Sequence, residues 1–227
     1  MTQPPGWRHQ HYETLASTQD LCTTLATGGE PGRLAISASR QTVPRASRGR
    51  DWITPPGALA VSVLLRPTGR ASDAGHWALL AAVALRAALD DPAIELKWPN
   101  DLLLGGQKLA GILIDTAVGA DRLEWLVIGF GVNLGSAPPG AASLPRNASV
   151  VMHAVVAQID AWERRRVLEG WGAIRRAWIS AGPPIGQTLQ VGTVAGTYQG
   201  LSDQGALLLQ TGGRLTAFST DTVLLGA

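Results

Sequence analysis

The residues best suited to chemistry lie in the segment KWPNDLLLGGQKLAGILID, which begins at Lys97. It places four polar groups close together in an otherwise apolar stretch: Lys97, Asn100, Asp101 and Lys108. Charged side chains are almost never fully buried unless they are paired, so charges in a stretch typical of a buried sheet need a reason. The simplest reason is a polar ligand held against the sheet.

The same segment predicts a β-hairpin over residues 102–114. Gly105 and Gly106 can adopt the positive φ angles of a tight hairpin turn. Gly111, inside the return strand, indicates a bulge or a place where a ligand approaches the backbone closely. Lys108 therefore lies near the turn, on a strand that could form the floor of a site with an ammonium group at one end.

The elements that would position this hairpin follow from periodicity and turn residues. The sequence from Ser17 to Asp20 predicts a capping box that opens a helix. The alanine-rich segment 74–89 is periodic and predicts another helix. The expected strands cover residues 12–15, 34–39, 58–65, 102–104, 108–114 and 123–134, and the expected helices cover 17–27, 74–89 and, as one or two helices, 150–181.

The C-terminal part of the chain has a different pattern. Gly182-Pro183-Pro184 predicts a linker, because glycine and proline interrupt regular structure. Beyond it, short alternating segments separated by glycine-containing turns predict a small β-barrel. A chain of 227 residues is long enough for one large and one small domain. We expect residues 1–182 to form the first and residues 183–227 the second.

Composition limits the class of protein. Hydrophobic residues make up 45% and charged residues 16%, as in an ordinary globular protein. The net charge of +2 gives no bulk electrostatic reason for binding nucleic acid, and we predict no nucleic-acid partner. Cys22 is the single cysteine, which excludes an internal disulfide and fits a reducing compartment.

Neither a signal peptide nor a membrane span is predicted. The N-terminal residues MTQPPGWRHQ lack the apolar core of a secretory signal. The apolar stretch 77–89 is too short to cross a bilayer and contains Arg86. We therefore expect a soluble, cytoplasmic protein with no membrane partner.

KWPND followed by KLAGIL resembles the biotin protein ligase family, also called biotin–[acetyl-CoA-carboxylase] ligases. The match covers nearly the whole chain, and residues 97–114 are its most specific part. The other matching segments, in chain order, are ETLASTQD (13–20, with Gln19 where asparagine is usual), Gln41-Thr42 with Arg48-Gly49-Arg50-Asp51-Trp52, VIGFGVNL (127–134) and the tail 186–225.

The resemblance implies an α+β fold. It consists of a mixed, mainly antiparallel sheet flanked by helices, similar to the catalytic domain of class II aminoacyl-tRNA synthetases, with a small C-terminal barrel similar to an SH3 domain. Some members carry an N-terminal helix-turn-helix and act as repressors. Since no basic helical segment precedes Tyr12, this chain resembles the shorter, enzyme-only form.

The resemblance also implies an activity. ATP would activate biotin as biotinyl-5′-adenylate, and the biotinyl group would pass to a lysine of the biotin carboxyl carrier protein of acetyl-CoA carboxylase. Magnesium is expected with the polyphosphate of ATP. Negative charge accumulates around phosphorus, so catalysis would consist of positioning and stabilisation by cations. The oligomeric state, a homodimer included, stays open.

Site residues carry over from the family by motif. The catalytic candidates are Lys108 beside the biotin carboxylate and the α-phosphate, Asp101 beside the acceptor amine, and Arg48. The residues expected to contact biotin are Ser17, Thr18, Gln19, Gln41, Arg45, Ala46, Ser47, Trp52, Lys108 and Gly111. Those expected to contact ATP or the adenylate are Arg45, Arg48, Arg50, Lys97, Asn100 and Asn133. No residues are assigned as direct metal ligands.

Several candidates have an ordinary structural alternative. Ser17 is also a good N-cap residue, and Asp101 could cap its own turn. Lys108 could be a solvated hairpin lysine, and Trp52 could belong to the core. Asn133 fits a structural position near the floor of the site.

The ligand loop departs from the family pattern Gly-Arg-Gly-Arg-x-Gly-Arg. The aligned stretch reads Pro44-Arg45-Ala46-Ser47-Arg48-Gly49-Arg50. Proline removes a backbone donor and alanine disfavours positive φ, so the loop should hold an adenylate less well. We predict a working ligase that releases its intermediate more readily, with Arg48 substituting for the arginine replaced by Ser47.

Other functions stay open on the sequence alone. The altered loop also fits a non-catalytic or impaired paralogue that binds biotin without turnover. Lipoate or octanoate transferases share the fold, although their motifs differ from residues 97–114. A dinucleotide site is disfavoured, because Gly129-x-Gly131 is followed by Val132-Asn133 and not by a third glycine and a helix.

Overall fold

The computed structural model describes residues 4–46, 52 and 54–219. Its helices are α1 (Thr18–Thr27), α2 (Ala74–Leu89), α3 (Ala148–Glu169) and α4 (Trp171–Ala181). Its strands are β1 (Arg8–Leu15), β2 (Leu34–Gln41), β3 (Leu59–Leu65), β4 (Ile94–Lys97), β5 (Asp101–Leu104), β6 (Gln107–Gly119), β7 (Arg122–Val132), β8 (Thr188–Val191), β9 (Val194–Leu201), β10 (Leu207–Thr211) and β11 (Arg214–Phe218).

Seven strands form one sheet in the order β1-β2-β3-β7-β6-β5-β4. Among them β1 and β2 pair in parallel, and each other neighbouring pair is antiparallel. The prediction of a mixed, mainly antiparallel sheet flanked by helices is therefore confirmed. β3 lies between β2 and β7, and each of its residues is buried, which explains why LAVSVLL is almost wholly apolar.

The two faces of the sheet are covered differently. Alternate residues of β3, such as Val61 and Val63, share a large core with α2 and α3, whereas Leu64 packs with residues of α1, including Cys22. α2 is apolar almost all round, because it packs against the sheet, α3 and α4. α1 is a short helix of ten residues, so it leaves part of its own sheet face uncovered for the site.

The predicted hairpin is present as β5 and β6. Gly105 and Gly106 have φ angles of 58° and 76°, as the tight turn requires. The register between the strands shifts at Leu102/Leu103. The backbone of Asn100 fixes the strand entry, because its carbonyl accepts from the Ile112 N–H at 2.9 Å.

Four further strands form a C-terminal antiparallel sheet in the order β11-β10-β9-β8. Its large apolar side chains Tyr198, Leu201, Leu207 and Leu209 belong to the same buried core as α2. A hydrogen bond joins the turn between β9 and β10 to the segment between β4 and β5: the Trp98 Nε1–H donates to the Gly205 carbonyl at 3.4 Å. Closure of this sheet into a barrel and the division at residue 182 stay predictions.

Some elements differ from the sequence prediction. β4 was not predicted, because a strand of four residues with two buried positions is too short to show a clear alternation of apolar and polar residues. β1 begins earlier, at Arg8. The segment predicted as one or two helices is two, separated at Gly170, which has a φ of 75°, in agreement with the prediction. In the ranges described, no helix is long and apolar enough to cross a membrane.

Candidate functional site

A cavity of about 240 Å³ opens on the sheet face next to the N-terminal end of α1. Its walls come from α1, the end of β2, the loop after it, and strands β3, β6 and β7. It brings together ten residues that the family motifs predict: Thr18, Gln19, Gln41, Arg45, Ala46, Trp52, Asn100, Lys108, Gly111 and Asn133. Residues from seven separate places in the chain thus converge on one site.

The floor consists largely of glycine backbone. A Cβ atom built at Gly131 would lie 2.5 Å from the indole of Trp52, and one at Gly129 would lie 2.5 Å from Oε1 of Gln19. A Cβ at Gly111 would lie 3.1 Å from Trp52 and 3.3 Å from Nζ of Lys108. The glycines are therefore required by close approach of side chains to the sheet.

One end of the cavity presents amide and hydroxyl groups. The backbone N–H and the Oγ1–H of Thr18 both donate to Oε1 of Gln41, at 2.8 and 3.1 Å. Because a backbone N–H can only donate, the orientation of the Gln41 amide is fixed, and its NH₂ group faces away from Thr18. Within the described chain this NH₂ group has no partner, so it can donate to a ligand.

Gln19 occupies the position where the family usually has asparagine, and the protein satisfies its amide. Ser62 Oγ–H donates to Oε1 of Gln19 at 3.0 Å. The Nε2 group donates to Oδ2 of Asp115 at 3.0 Å and to the Val127 carbonyl at 3.3 Å. Gln19 lines the cavity, but its hydrogen-bonding groups are engaged below the surface that a ligand would contact.

Arg45 lies at the mouth of the site between two carboxylates. It donates to Asp115 at 2.7 and 3.4 Å and to Asp20 at 3.1 Å. Partial burial lowers the pKa of Arg45, but attraction to Asp115, together with hydrogen bonding to Asp20, outweighs it and raises the pKa above its ordinary value. The guanidinium is therefore always charged.

The opposite polar group is Lys108, on β6 just after the hairpin turn. Its Nζ lies 2.6 Å from Oδ1 of Asp101 and 5.6 Å from the centre of the Trp52 ring. Asp101 does not line the cavity itself, although it reaches Lys108 from the neighbouring strand. The ammonium group therefore has a carboxylate partner that a ligand carboxylate or phosphate could replace.

Two buried asparagines fix the backbone around Lys108. Asn100 donates from Nδ2 to the Ile112 carbonyl at 2.6 Å. Asn133 donates to the carbonyls of Lys108 and Ala142, at 3.4 and 3.0 Å, and its buried Oδ1 has no partner among the residues that the structure describes. Both residues line the cavity, so each could contact a ligand in addition to holding the strands.

Other predicted site residues lie elsewhere. Ser17 is 1% exposed and does not line the cavity; its side chain caps α1 by accepting from the Asp20 N–H at 3.2 Å. Lys97 is exposed on the edge strand β4, outside the cavity lining. The predictions for Ser47, Arg48 and Arg50 fall outside the described residues.

The sequence prediction missed Ser62 and Asp115, which build the polar end, and the floor glycines Gly129 and Gly131. Asp115 could have been found from the period of two, which places it on the same face of β6 as Gly111. Ser62 stands out only as a polar residue within the buried strand β3. Across the ranges that the structure covers, no group of three or more His, Cys, Asp or Glu side chains could hold a metal ion.

Known proteins of one family are similar to this chain along most of its length. The model of the biotin/lipoate A/B protein ligase family matches residues 13–133. A biotin–[acetyl-CoA-carboxylase] ligase of Paracoccus denitrificans is 34% identical over 206 residues, which cover 80% of this chain and 86% of that protein.

Solved structures share the fold. Biotin protein ligase from Aquifex aeolicus, in complex with biotin and ATP, superposes with a TM-score of 0.76 at 22% identity and covers 93% of this chain and 95% of its own. A biotin protein ligase-like protein of unknown function from Silicibacter sp. TM1040 gives a TM-score of 0.80 at 19% identity, with 98% of both chains covered.

Proposed function

The chain belongs to the biotin/lipoate A/B protein ligase family, and from this membership we propose that it is an ATP-dependent biotin ligase. It activates biotin as biotinyl-5′-adenylate and transfers the biotinyl group to a lysine of the biotin carboxyl carrier protein of acetyl-CoA carboxylase. The observation that carries the proposal is one cavity with a neutral hydrogen-bonding end, a glycine floor and an ammonium group.

The neutral end suits the ureido ring of biotin. The NH₂ group of Gln41 can donate to the ureido carbonyl, and the hydroxyl oxygen of Thr18 retains lone pairs for a ureido N–H. Lipoate and octanoate would bring an apolar group to the same place and leave these polar groups unpaired. A site built to hydrogen-bond its substrate rejects analogues that lack the group, so biotin is favoured.

Lys108 supports activation. A carboxylate oxygen of biotin attacks the α-phosphorus of ATP, a bond from phosphorus to this oxygen forms, and pyrophosphate leaves. The ammonium group of Lys108 neutralises the carboxylate and then the charge on the phosphoryl oxygens, which is electrostatic stabilisation by a positioned cation. To leave Asp101 and reach the substrates, the ammonium group of Lys108 needs only a short movement of its flexible side chain.

Asp101 supports transfer. Once Lys108 turns towards the adenylate, Asp101 is free to accept a hydrogen bond from the incoming lysine amine. The amine nitrogen attacks the carbonyl carbon of the mixed anhydride, AMP leaves with the bonding electrons, and the carboxylate of Asp101 accepts the proton that the nitrogen loses. Asp101 lies on β5 beside the cavity and not in its lining, which suits a group that meets the second substrate.

Magnesium fits this site as part of the nucleotide substrate. Within the described ranges the protein offers no cluster of metal ligands, so Mg²⁺ would be held by the phosphate oxygens of ATP. Arg48, Arg50 and Lys97 remain family-based proposals for holding those phosphates, and Ser47 and Ala46 for closing the loop over biotin.

Exchange of labelled pyrophosphate into ATP tests the activation step without any acceptor protein. We expect exchange that depends on biotin and that neither lipoate nor octanoate supports. Exchange driven by lipoate or octanoate would assign the chain to the other branch of the family. Biotin binding without exchange would identify a paralogue that has lost the chemistry.

A further inference from the structure

Asp115, in the middle of β6, receives an unusual number of hydrogen bonds for a partly exposed carboxylate. Its oxygens accept from Arg45 at 2.7 and 3.4 Å, from Gln19 at 3.0 Å and from Thr23 Oγ1 at 3.5 Å. These donors belong to α1 and to the segment that follows β2. One carboxylate therefore joins three separate elements beside the candidate site.

The contact with Gln19 fixes part of the cavity floor. Asp115 and the Val127 carbonyl both accept from Nε2, so the amide cannot flip, and its Oε1 must face the hydroxyl of Ser62. The hydroxyl of Thr18 lies 3.0 Å from Ser62 Oγ and can donate its proton there, while the backbone N–H of Thr18 donates to Gln41. The chain of hydrogen bonds thus runs from Asp115 to the group that faces the ligand.

The contact with Arg45 fixes the mouth of the cavity. The Asp115 side chain is 21% exposed, whereas that of Asp20, the other partner of Arg45, is 54% exposed. The less exposed pair is less screened by solvent, so Asp115 is the stronger of the two anchors. Arg45 precedes the loop that carries the remaining family arginines.

Asp115 and Lys108 mark the two ends of the site along β6. The Nζ of Lys108 lies over Gly111, and Asp115 follows Gly111 by four residues, which is about 13 Å along a strand. Asp115 lies outside the cavity lining and is paired with Arg45, so a ligand that spans this distance meets an ammonium group at one end and the groups that Asp115 helps to hold at the other. A ligand carboxylate is therefore attracted to the Lys108 end.

We propose that Asp115 is a positioning residue for the biotin end of the site. It fixes Gln19 on the floor and Arg45 at the mouth, and so holds the groups that the biotin ring would meet. The inference rests on the proposed function, because it assumes that the neutral end receives the biotin ring.

Asp115→Asn tests this assignment. Oδ2 of Asp115 accepts from both Gln19 and Arg45, and Oδ1 accepts from Arg45 alone, so the NH₂ group of asparagine faces the Arg45 guanidinium in one orientation and both donors in the other. The substitution also removes the negative charge that pairs with Arg45. We expect the dissociation constant and KM for biotin to rise roughly tenfold to a hundredfold, the range that follows from loss of hydrogen bonds to a charged group. The kcat and the KM for ATP should stay within about threefold, because the reacting atoms lie at the Lys108 end.

Asp20→Asn is the matched control, since it removes the exposed contact of Arg45 and leaves Gln19 untouched. It should change the KM for biotin by less than about threefold. Asp115→Glu, which keeps the charge, should recover part of the affinity. Thermal unfolding without ligand shows whether each variant is folded.

The outcomes separate this inference from the proposed function. An active wild type whose KM for biotin is unchanged by Asp115→Asn would overturn the role of Asp115 alone. Equal losses in kcat and in the KM for ATP would also overturn it, since Asp115 would then act on the whole fold. A wild type that does not bind biotin would overturn the proposed function itself.

Discussion

At the scale of single residues, the site depends on Lys108. Lys108 lines the cavity at one end of the glycine floor, and its ammonium group is paired with the carboxylate of Asp101. Electrostatic preorganisation of this kind often supplies the largest part of a catalytic effect. The pair is partly exposed, so it contributes little to the free energy of unfolding.

Lys108→Met should therefore abolish chemistry and spare the fold. We expect biotin-dependent pyrophosphate exchange to fall by about a hundredfold or more, because the charge that stabilises the transition state is removed. The midpoint of thermal unfolding should move by only a few degrees. Retained exchange in a folded Lys108→Met variant would show that another group activates biotin.

The sequence was enough to predict many residues of the site, but it did not predict which of their side chains contact one another. Thr18, Gln41 and Lys108 could be assigned because each lies in a recognisable motif, and all three line the cavity. The period of two could place Asp115 on the site face of β6 but could not show its contacts, since Gln19 and Arg45 are distant in sequence and become neighbours only through the sheet. Contacts of this kind leave no local pattern in a single sequence.

At the scale of elements, β7 provides the flat part of the floor. Its residues alternate between Ile128 and Phe130, which face the core, and Gly129 and Gly131, which face the site. The Gly-x-Gly spacing is thus a strand feature with period two, and it does not open a helix. The same elements show what sequence can predict: the segment 74–89 was found from its period, whereas the parallel pairing of β1 with β2 has no local signal.

Gly131→Ala should damage binding through Trp52. The new methyl group would lie 2.5 Å from the indole, so the ring must leave the floor. We expect biotin affinity, measured by calorimetry, to fall about tenfold, an effect near 1.4 kcal/mol. Gly135→Ala, at an open position outside the cavity lining with a φ of 72°, gives a stability control without the contact. Unchanged affinity in Gly131→Ala would mean that Trp52 does not shape the slot.

A second element-scale prediction concerns β1 and α3, where histidines meet. Burial lowers the pKa of His9, and the nearby His153 and His11 lower it further. The folded protein therefore binds the His9 proton less readily than the unfolded chain, so this contribution to stability is full above pH 6.5 and is lost as the pH falls below it. The unfolding midpoint should be lower at pH 5.5 than at pH 7.5.

His9→Gln isolates this effect, because glutamine can still bond to Ser37, which lies 2.8 Å from the His9 ring. The variant should lose part of the decrease in midpoint between pH 7.5 and pH 5.5. A decrease of the same size in the variant and in the wild type would show that His9 does not contribute.

At the scale of the whole molecule, the two sheets share one core. Leu207 of the C-terminal sheet is buried with residues of α2, and the His76 ring of α2 lies 2.8 Å from the Asp203 carbonyl. Turn residues predicted a second unit after residue 182, but they did not show that apolar side chains beyond them belong to the same core as α2. That dependence arises from packing between distant segments, which a strand-and-turn pattern does not show.

Leu207→Ala should destabilise both sheets together. Loss of a buried leucine lowers the free energy of unfolding by about 2–5 kcal/mol. Because the core is continuous, we expect one cooperative transition at a lower midpoint in both calorimetry and circular dichroism. Leu215→Ala, on the neighbouring strand, is the control: its side chain is 53% exposed and its loss should be nearly neutral. Two separate transitions would contradict a shared core.

The most direct test of the central claim is the intact mass of a purified biotin carrier domain after incubation with this protein, biotin and magnesium-ATP. We predict the addition of one biotinyl group at a single lysine, dependent on ATP and absent when the acceptor lysine is replaced by arginine. An unmodified carrier domain, with biotin binding still seen by calorimetry, would contradict the assignment of ligase activity.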